Sequence, residues 1–275
     1  GLYGLPADLV TLERISRAWG AFLIDDAAQC LGARISERPC GTFGDAGFYS
    51  LGRGKNITTM GGGILVTHRE DLADLIGQEL SKLPRPSSLQ VFYSTLTSLL
   101  YASLLQPSRY WFLDRIPFLG LGLSQFDPNF EISQLSPYQI RLAAQLLALV
   151  DSYNRIRREN ADRLRAQIEQ VEGIEIPRAV KETNSVYLRF PILARDVTHR
   201  SHLLRRFKRA GIAASPSYPT ALGEIRGINQ YLVDDQEPCP GAPSIATRII
   251  TLPTHPYVTS ADIDQMVGIM RERTG

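Results

Sequence analysis

Cysteine is scarce in this sequence, and neither sign of charge dominates it. The three cysteines, Cys30, Cys40 and Cys239, lie far apart and form no C-x-x-C pair, which argues against a disulfide framework and against a zinc site. Such a set suits a reducing compartment, so we expect a cytoplasmic protein. The formal net charge is only +2, and therefore no strong field predicts a nucleic-acid partner.

Long apolar runs are also missing. The most apolar stretch, 89–105, is interrupted by serine, threonine and glutamine residues and falls short of the roughly 18 apolar residues of a membrane-spanning helix. No N-terminal stretch resembles a signal peptide, and no histidine has a metal-ligand partner at suitable spacing, so no metal site is predicted. The aromatic residues among the leucines favour a core or dimer interface over membrane contact: Tyr93, Tyr101, Tyr110 and Trp111.

Helix and strand patterns alternate along the first part of the chain, which predicts an α/β fold. Short apolar runs at 21–24, 46–50 and 63–67 are expected strands, and a helix is expected at 69–83. The connection from Ser50 to Gly63 is too short for a parallel crossover. We therefore predict a mixed sheet.

The rest of the chain predicts a long connection and a second domain. Ser136 and Pro137 have the pattern of a helix start, and apolar residues at helical spacing continue to Gly173, as one helix or two joined in line. Beyond Gly173, two strand and two helix patterns predict a compact α+β unit. The expected division is an incomplete large domain at 1–135, a connecting helix at 136–173 and a small C-terminal domain at 174–275.

Three features in the first domain carry chemistry. Asp25 and Asp26 lie at the carboxyl end of an apolar strand, the end at which ligands bind in open α/β sheets. Ser50 lies at the carboxyl end of the next strand, and Lys55 follows in a glycine-rich loop. A buried carboxylate, a hydroxyl and a lysine above one sheet suit pyridoxal 5'-phosphate (PLP). A carboxylate keeps the ring nitrogen protonated, and burial keeps the lysine amine neutral enough to bind the cofactor covalently.

Lysine scarcity sharpens the choice of anchor. The sequence has only four lysines. Lys82 ends a helix pattern, Lys181 lies in a polar loop and Lys208 belongs to a basic helix pattern. Only Lys55 follows a strand in a glycine loop, so it is the predicted catalytic residue.

Ordered motifs add a specific resemblance. The chain contains Leu2-Tyr3-Gly4-Leu5-Pro6-Ala7-Asp8, Leu23-Ile24-Asp25-Asp26-Ala27-Ala28-Gln29, Gly41-Thr42-x-Gly44-Asp45-Ala46-Gly47-Phe48-Tyr49-Ser50 and Lys55-Asn56-Ile57-Thr58. This set closely resembles the DegT/DnrJ/StrS family of PLP-dependent sugar aminotransferases, and a weaker match continues to Pro253. The resemblance implies fold type I, an N-terminally truncated chain, and a homodimer with its sites at the subunit interface.

The resemblance also implies the cofactor-binding residues. Asp26 would pair with the pyridinium nitrogen, Ala28 would pack on the ring and Gln29 would contact the region of the ring hydroxyl. Ser50 would hold the phosphate and Lys55 would bind the cofactor covalently. The implied reaction moves an amino group, usually from glutamate, to a keto sugar on a nucleotide, for surface polysaccharide or glycoconjugate biosynthesis.

The chain departs from the family pattern in ways that leave two alternatives open. Family chains carry roughly a hundred further residues before Tyr3, a part that includes a phosphate-binding helix start. The usual Gly-Glu-Gly-Gly run is Met60-Gly61-Gly62-Gly63 here, and Glu131-Ile132-Ser133-Gln134-Leu135 replaces the usual Gly-x-Asn-x-Arg. One alternative is a truncated or degenerate paralogue that binds a sugar nucleotide or a partner subunit without catalysis. The other is a PLP-dependent sugar dehydratase, a branch that has histidine in place of the lysine.

Overall fold

A computed structural model of the chain describes residues 1–104, 132–218, 220–225, 227–232 and 239–272. These residues form two compact units. The first contains 1–104, 132–158 and 179–188; the second contains 159–178 and the described part of 189–272. The predicted borders after residues 135 and 173 divide the chain differently and stay a prediction.

The central sheet of the first unit has three strands in the order β1–β4–β5. β1 (Ile24–Asp26) runs parallel to β4 (Ala46–Ser50), and β4 runs antiparallel to β5 (Gly63–Val66). The prediction of a mixed sheet is confirmed, because the short connection after Ser50 returns the chain alongside the strand it has left.

The first strand begins later than predicted. Leu23 is held by the turn before β4 instead of by the ladder, since its N–H donates to the Asp45 carboxylate at 2.9 Å and its carbonyl accepts from the Asp45 N–H at 2.9 Å. The expected burial of this run is also wrong at Ile24, which is 57% exposed. The strand therefore brings Asp25 and Asp26 into the ladder, together with only the last residue of the apolar run, Ile24.

Helix ends in the first unit follow their capping signals. α1 (Leu9–Trp19) begins where the Asp8 carboxylate accepts a hydrogen bond from the Thr11 N–H, and it ends at Gly20 in the left-handed region. α2 spans Glu70–Lys82 and α3 spans Ser88–Leu104. No helix in the described part of the chain is long and apolar enough to cross a membrane.

The long connection predicted from Ser136 consists of two helices. α4 (Pro137–Leu147) begins with a capping box between Ser136 and Gln139. α5 (Val150–Ile168) follows after a break at 148–149 and continues from the first unit into the second. The side chains of Leu51, Ile57, Ala143 and Val150 form one buried cluster of the first unit.

A second small sheet was missed by the sequence analysis. β2 (Arg34–Ile35) pairs with β3 (Arg38–Pro39) and with β7 (Thr183–Asn184), both antiparallel. Strands of two residues carry no readable alternation of polar and apolar side chains. This sheet adjoins the other buried cluster of the unit: Leu9, Ala27, Cys30, Ala33, Ile35, Cys40, Phe43 and Val186.

The second unit is an α+β arrangement around an antiparallel sheet in the order β6–β8–β9. The central strand is buried along its whole length, which explains its continuous apolar sequence. The strands are β6 (Ile174–Glu175), β8 (Phe190–Ala194) and β9 (Ile249–Leu252); the helices are α6 (Val197–Arg209), α7 (Gly241–Arg248) and α8 (Ser260–Arg271), with short 3-10 turns at Leu222–Glu224 and Asn229–Tyr231.

Candidate functional site

The two carboxylates of β1 have different environments. Asp25 is 1% exposed, and its Oδ2 atom accepts hydrogen bonds from the backbone N–H groups of Gly41 at 2.5 Å and Phe43 at 3.5 Å. Burial raises the pKa of the Asp25 carboxyl above its usual value. The buried carboxylate that the sequence analysis expected above the sheet is therefore Asp25, and it binds the protein's own backbone.

Asp26 lies on the exposed face of the same strand, because successive strand residues point to opposite sides. Asp26, the residue that the resemblance pairs with the pyridinium nitrogen, is thus the accessible carboxylate of the strand, and that role stays a prediction. Its Oδ1 atom accepts a hydrogen bond from the Ala28 N–H at 3.0 Å, which holds Asp26 and the half-buried Ala28 together. An accessible carboxylate is what a ligand approaching this face would meet.

Gln29 is buried directly behind this turn. Its Oε1 atom accepts a hydrogen bond from the Tyr3 N–H at 2.8 Å. Tyr3 and Gly4 both have positive φ, and the Gly4 carbonyl accepts from the Val186 N–H at 2.9 Å. The Tyr3-Gly4 motif is thus a tight turn that supports Gln29; the role of Gln29 towards a cofactor ring stays a prediction.

Ser50 is the last residue of β4, and Lys55 lies in the loop that follows it. The Ser50 hydroxyl accepts a hydrogen bond from the Gly52 N–H at 3.2 Å, and the Lys55 N–H donates to the Gly52 carbonyl at 3.4 Å. The N–H of Leu51 donates to the carbonyl of Gly62 at 2.9 Å, so the two ends of the loop are tied together. The loop therefore presents Ser50 and Lys55 from a closed turn.

The charge environment of Lys55 connects it with Asp26. Burial lowers the pKa of the half-buried Lys55 ammonium below its usual value, and this effect outweighs the Asp26 carboxylate, which acts in the opposite direction. β1 and β4 run parallel, with Asp26 opposite Phe48, so Asp26 and the loop that carries Lys55 follow the same end of the sheet. Their joint role in a PLP site stays a prediction.

A pair of buried asparagines braces the lysine loop, and the sequence analysis missed it. Asn56 donates through Nδ2 to the Asn154 Oδ1 atom at 2.9 Å, and Asn154 donates through its own Nδ2 to the Leu31 carbonyl at 2.8 Å. One side chain of α5 thus ties the residue next to Lys55 to the segment that follows Asp26. The signal available in the sequence was a polar residue four positions after Val150, on the buried face of a helix.

The glycine-rich motif before Ser50 serves close packing under the site. A Cβ on Gly41, which has a φ of +92°, would lie 2.4 Å from the Tyr49 ring, and a Cβ on Gly47 would lie 2.0 Å from the Gly41 carbonyl oxygen. The Tyr49 hydroxyl donates to the Cys40 carbonyl at 2.5 Å. These contacts fix the position of the Gly41 N–H, which donates to the Asp25 carboxylate. This hydrogen bond in turn holds β1 in place.

The residues on the exposed face fit pyridoxal phosphate by their chemistry. Asp26 offers a carboxylate for a protonated ring nitrogen, Ser50 a hydroxyl for a phosphate, and Lys55 an amine whose pKa is lowered by burial. Among the described residues no group of three His, Cys, Asp or Glu side chains is placed to hold a metal ion.

Comparison with known proteins identifies the family. The model of the DegT/DnrJ/EryC1/StrS aminotransferase family matches residues 1–84 and 133–271, which is most of the chain. The chain belongs to this family. The resemblance drawn from the motifs is confirmed, and the family match leaves out 85–132.

Individual relatives are similar along the whole chain. An Acidithiobacillus ferrooxidans protein named UDP-N-acetyl-3-dehydro-alpha-D-glucosamine 3-aminotransferase is 25% identical over 98% of this chain and 62% of its own length. A Streptomyces venezuelae dTDP-3-amino-3,4,6-trideoxy-alpha-D-glucose transaminase is 24% identical over 98% of this chain and 61% of its own length. The chain thus spans less than two thirds of the length of these relatives.

Solved structures agree on the fold. A DegT DnrJ EryC1 StrS aminotransferase from Brucella abortus superposes with a TM-score of 0.71 at 24% identity, covering 98% of this chain and 62% of that one. DesV of S. venezuelae superposes with a TM-score of 0.72 at 22% identity, covering 100% and 64%. The predicted α/β, fold-type-I architecture is confirmed.

Proposed function

We propose that this protein is a PLP-dependent aminotransferase that acts on a nucleotide-linked keto sugar, with glutamate as the amino donor. The observation that carries the proposal is the pair formed by an accessible Asp26 carboxylate and a half-buried Lys55 amine of lowered pKa. Family membership and relatives named for UDP-sugar and dTDP-sugar amination support the reaction class.

Each residue of the site has a proposed task. Lys55 binds the cofactor covalently, and its Nζ atom, once released, moves the proton at the carbon that carries the transferred nitrogen. Asp26 keeps the ring nitrogen protonated, Ser50 binds the phosphate, and Ala28 and Gln29 position the ring and its hydroxyl. When bound, PLP supplies the electron sink that stabilises negative charge at the reacting carbon.

The lowered pKa of Lys55 supports this assignment in physical terms. A lysine amine must lose its proton before it can act as a nucleophile, and an amine of ordinary pKa is almost fully protonated at neutral pH. Burial among apolar groups lowers the pKa of Lys55 and increases the neutral fraction. The negative charge of Asp26 acts in the opposite direction and limits this shift. With the cofactor bound, that charge would instead interact with the protonated ring nitrogen.

The test is the first half of the reaction, which needs no sugar. The purified protein is loaded with PLP and mixed with glutamate, and formation of 2-oxoglutarate is measured. We expect about one 2-oxoglutarate per loaded site in the wild type and none with Lys55→Ala. Lys82→Ala is the matched control, because Lys82 is exposed and bound only to Glu79 on the surface of α2.

Two outcomes would overturn the proposal. Unchanged 2-oxoglutarate formation by Lys55→Ala would remove the assigned anchor. Failure of the wild type with every amino donor, together with retained binding of a sugar nucleotide, would favour the non-catalytic paralogue. Loss of a hydroxyl from the sugar without any amino donor would instead indicate the dehydratase.

The biological setting is proposed on the same basis. We infer a role in surface polysaccharide or glycoconjugate biosynthesis, in the cytoplasm, as a homodimer. Sedimentation velocity of the purified protein tests the homodimer, for which a single species of twice the chain mass is expected.

A further inference from the structure

Helix α3 exposes its large apolar side chains to solvent. Six of these side chains are between 42% and 63% exposed, and at 3.6 residues per turn they fall within an arc of about 120°. We call this arc the apolar stripe; its members are Leu89, Phe92, Tyr93, Leu96, Leu99 and Leu100. Tyr93 was expected in a core or a dimer interface; it lies in the stripe and not in the core of this chain, and its place in a dimer interface stays a prediction.

The opposite face of α3 is polar and more buried. Ser94, Thr95 and Ser98 are half-buried there, together with Val91 and Tyr101. A surface helix of a water-soluble domain normally turns its apolar side chains inward and its polar ones outward. The orientation of α3 is the reverse, so the stripe lies uncovered among the residues that the structure describes.

The serine and threonine hydroxyl groups between 94 and 103 are satisfied within the helix. Thr95 donates to the Val91 carbonyl at 2.8 Å, Thr97 to the Tyr93 carbonyl at 2.7 Å and Ser98 to the Ser94 carbonyl at 2.7 Å. Hydrogen bonds of this type let serine and threonine enter apolar surroundings without a loss of hydrogen bonding. The polar groups of the helix therefore do not oppose contact with hydrocarbon.

Charged residues are absent from α3 itself. The sequence has no Asp, Glu, Lys, Arg or His between Arg85 and Arg109. Arg85 is exposed just before the helix, where its guanidinium can meet lipid phosphates. A protein interface of useful size carries about one hydrogen bond per 100–200 Å², whereas the stripe offers side-chain hydrogen bonding only through the Tyr93 hydroxyl.

The family model does not match α3. It matches the chain up to residue 84 and again from 133, so the apolar stripe belongs to a segment that this model leaves out. Its outward apolar face is therefore not required by the part of the chain that the family model describes.

We propose that α3 docks this protein on the surface of a lipid bilayer. The apolar stripe enters the boundary between headgroups and acyl chains, the axis of the helix lies along the membrane plane, and Arg85 contacts the headgroups. A helix of 17 residues covers about 25 Å of surface in this orientation. The proposal goes beyond the aminotransferase activity and does not depend on it.

The first test is co-sedimentation of the full chain with vesicles of phosphatidylcholine and phosphatidylglycerol. We expect the wild type to sediment with the vesicles, and Leu96→Glu combined with Leu99→Glu to bind at least about tenfold more weakly, because a carboxylate replaces a leucine that would enter the bilayer at each site. Leu99→Glu alone and Thr97→Glu are the charge-matched pair, since each introduces one glutamate on the same helix. Thr97 lies outside the stripe, so Thr97→Glu should bind within about twofold of wild type and Leu99→Glu clearly more weakly.

A second measurement does not need a weakened variant. Tyr93→Trp places an indole in the stripe and Thr97→Trp places one outside it. Vesicles with brominated acyl chains should quench the added fluorescence of Tyr93→Trp at least about threefold more than that of Thr97→Trp. The native background from the two tryptophans of the chain is subtracted with the wild-type protein.

Several outcomes would overturn the proposal. These are the absence of vesicle binding by the wild type, equal losses in the stripe and control variants, and equal quenching of the two indoles. If the wild type does not bind vesicles but Leu96→Glu converts a dimer to monomers in sedimentation velocity, the stripe contacts a second copy and not lipid. Because none of these readouts involves amino transfer, their failure is distinct from failure of the proposed reaction.

Discussion

The substitution Asn154→Ala tests the brace that holds the lysine loop. In the wild type the Asn154 side chain makes two buried hydrogen bonds, at 2.9 Å from Asn56 and at 2.8 Å to the Leu31 carbonyl. Alanine leaves the Asn56 amide and the Leu31 carbonyl without these partners. A buried polar group that loses its partner costs about 1–3 kcal/mol, so we expect the free energy of unfolding to fall by about 2–5 kcal/mol.

The assay is urea unfolding followed by circular dichroism, with the slope against urea unchanged and the midpoint lowered. Asn160→Ala is a suitable control, because Asn160 is also buried on α5 and its Nδ2 atom donates to the Thr254 carbonyl at 3.1 Å. With one such hydrogen bond removed instead of two, we expect about half the loss in the free energy of unfolding. A double-mutant cycle of Asn154→Ala with Asn56→Ala should give a coupling energy of about 1–2 kcal/mol. Strict additivity of the two substitutions would refute the brace.

Two further predictions concern the packing beneath the site. Burial raises the pKa of Asp25 above 3.8, so the native state holds this proton more tightly than the unfolded chain. As the pH rises from about 3.8 through the raised pKa, the wild type should therefore lose stability relative to Asp25→Asn. Above the raised pKa the difference in stability should be constant. Guanidinium titrations at several pH values measure the difference, and a difference that does not change with pH contradicts the assignment. Gly41→Ala should destabilise the protein by at least about 2 kcal/mol, because the new Cβ meets the Tyr49 ring at 2.4 Å. Gly54→Ala has a similar positive φ and no atom within 4 Å, so it should cost only about 1 kcal/mol; equal losses would contradict the packing argument.

Local signals in the sequence predicted most of the regular structure. β4 spans the predicted residues, and the helix predicted from Ser136 and Pro137 begins there with a capping box. These elements were predictable because each depends on neighbours within a few positions along the chain. The order of the motifs also predicted the family.

The features that were missed depend on residues far apart in the sequence. The partner of β2 is β7, and the partner of Asn56 is Asn154; no local pattern specifies such pairs. The exposure of Asp26 in place of Asp25 depends on the strand register, which a shift of one residue reverses. The outward apolar face of α3 was missed for a related reason: periodicity identifies an apolar face but not what covers it.

The direct test of the central claim is to locate the lysine that binds the cofactor. The protein is incubated with PLP, reduced with borohydride, digested and analysed by mass spectrometry, with occupancy measured at each of the four lysines of the chain. We expect the reduced adduct on Lys55 at near-full occupancy and only traces at Lys82, Lys181 and Lys208. An even distribution over the surface lysines, or an unmodified Lys55, would contradict the assignment of Lys55 as the reactive amine.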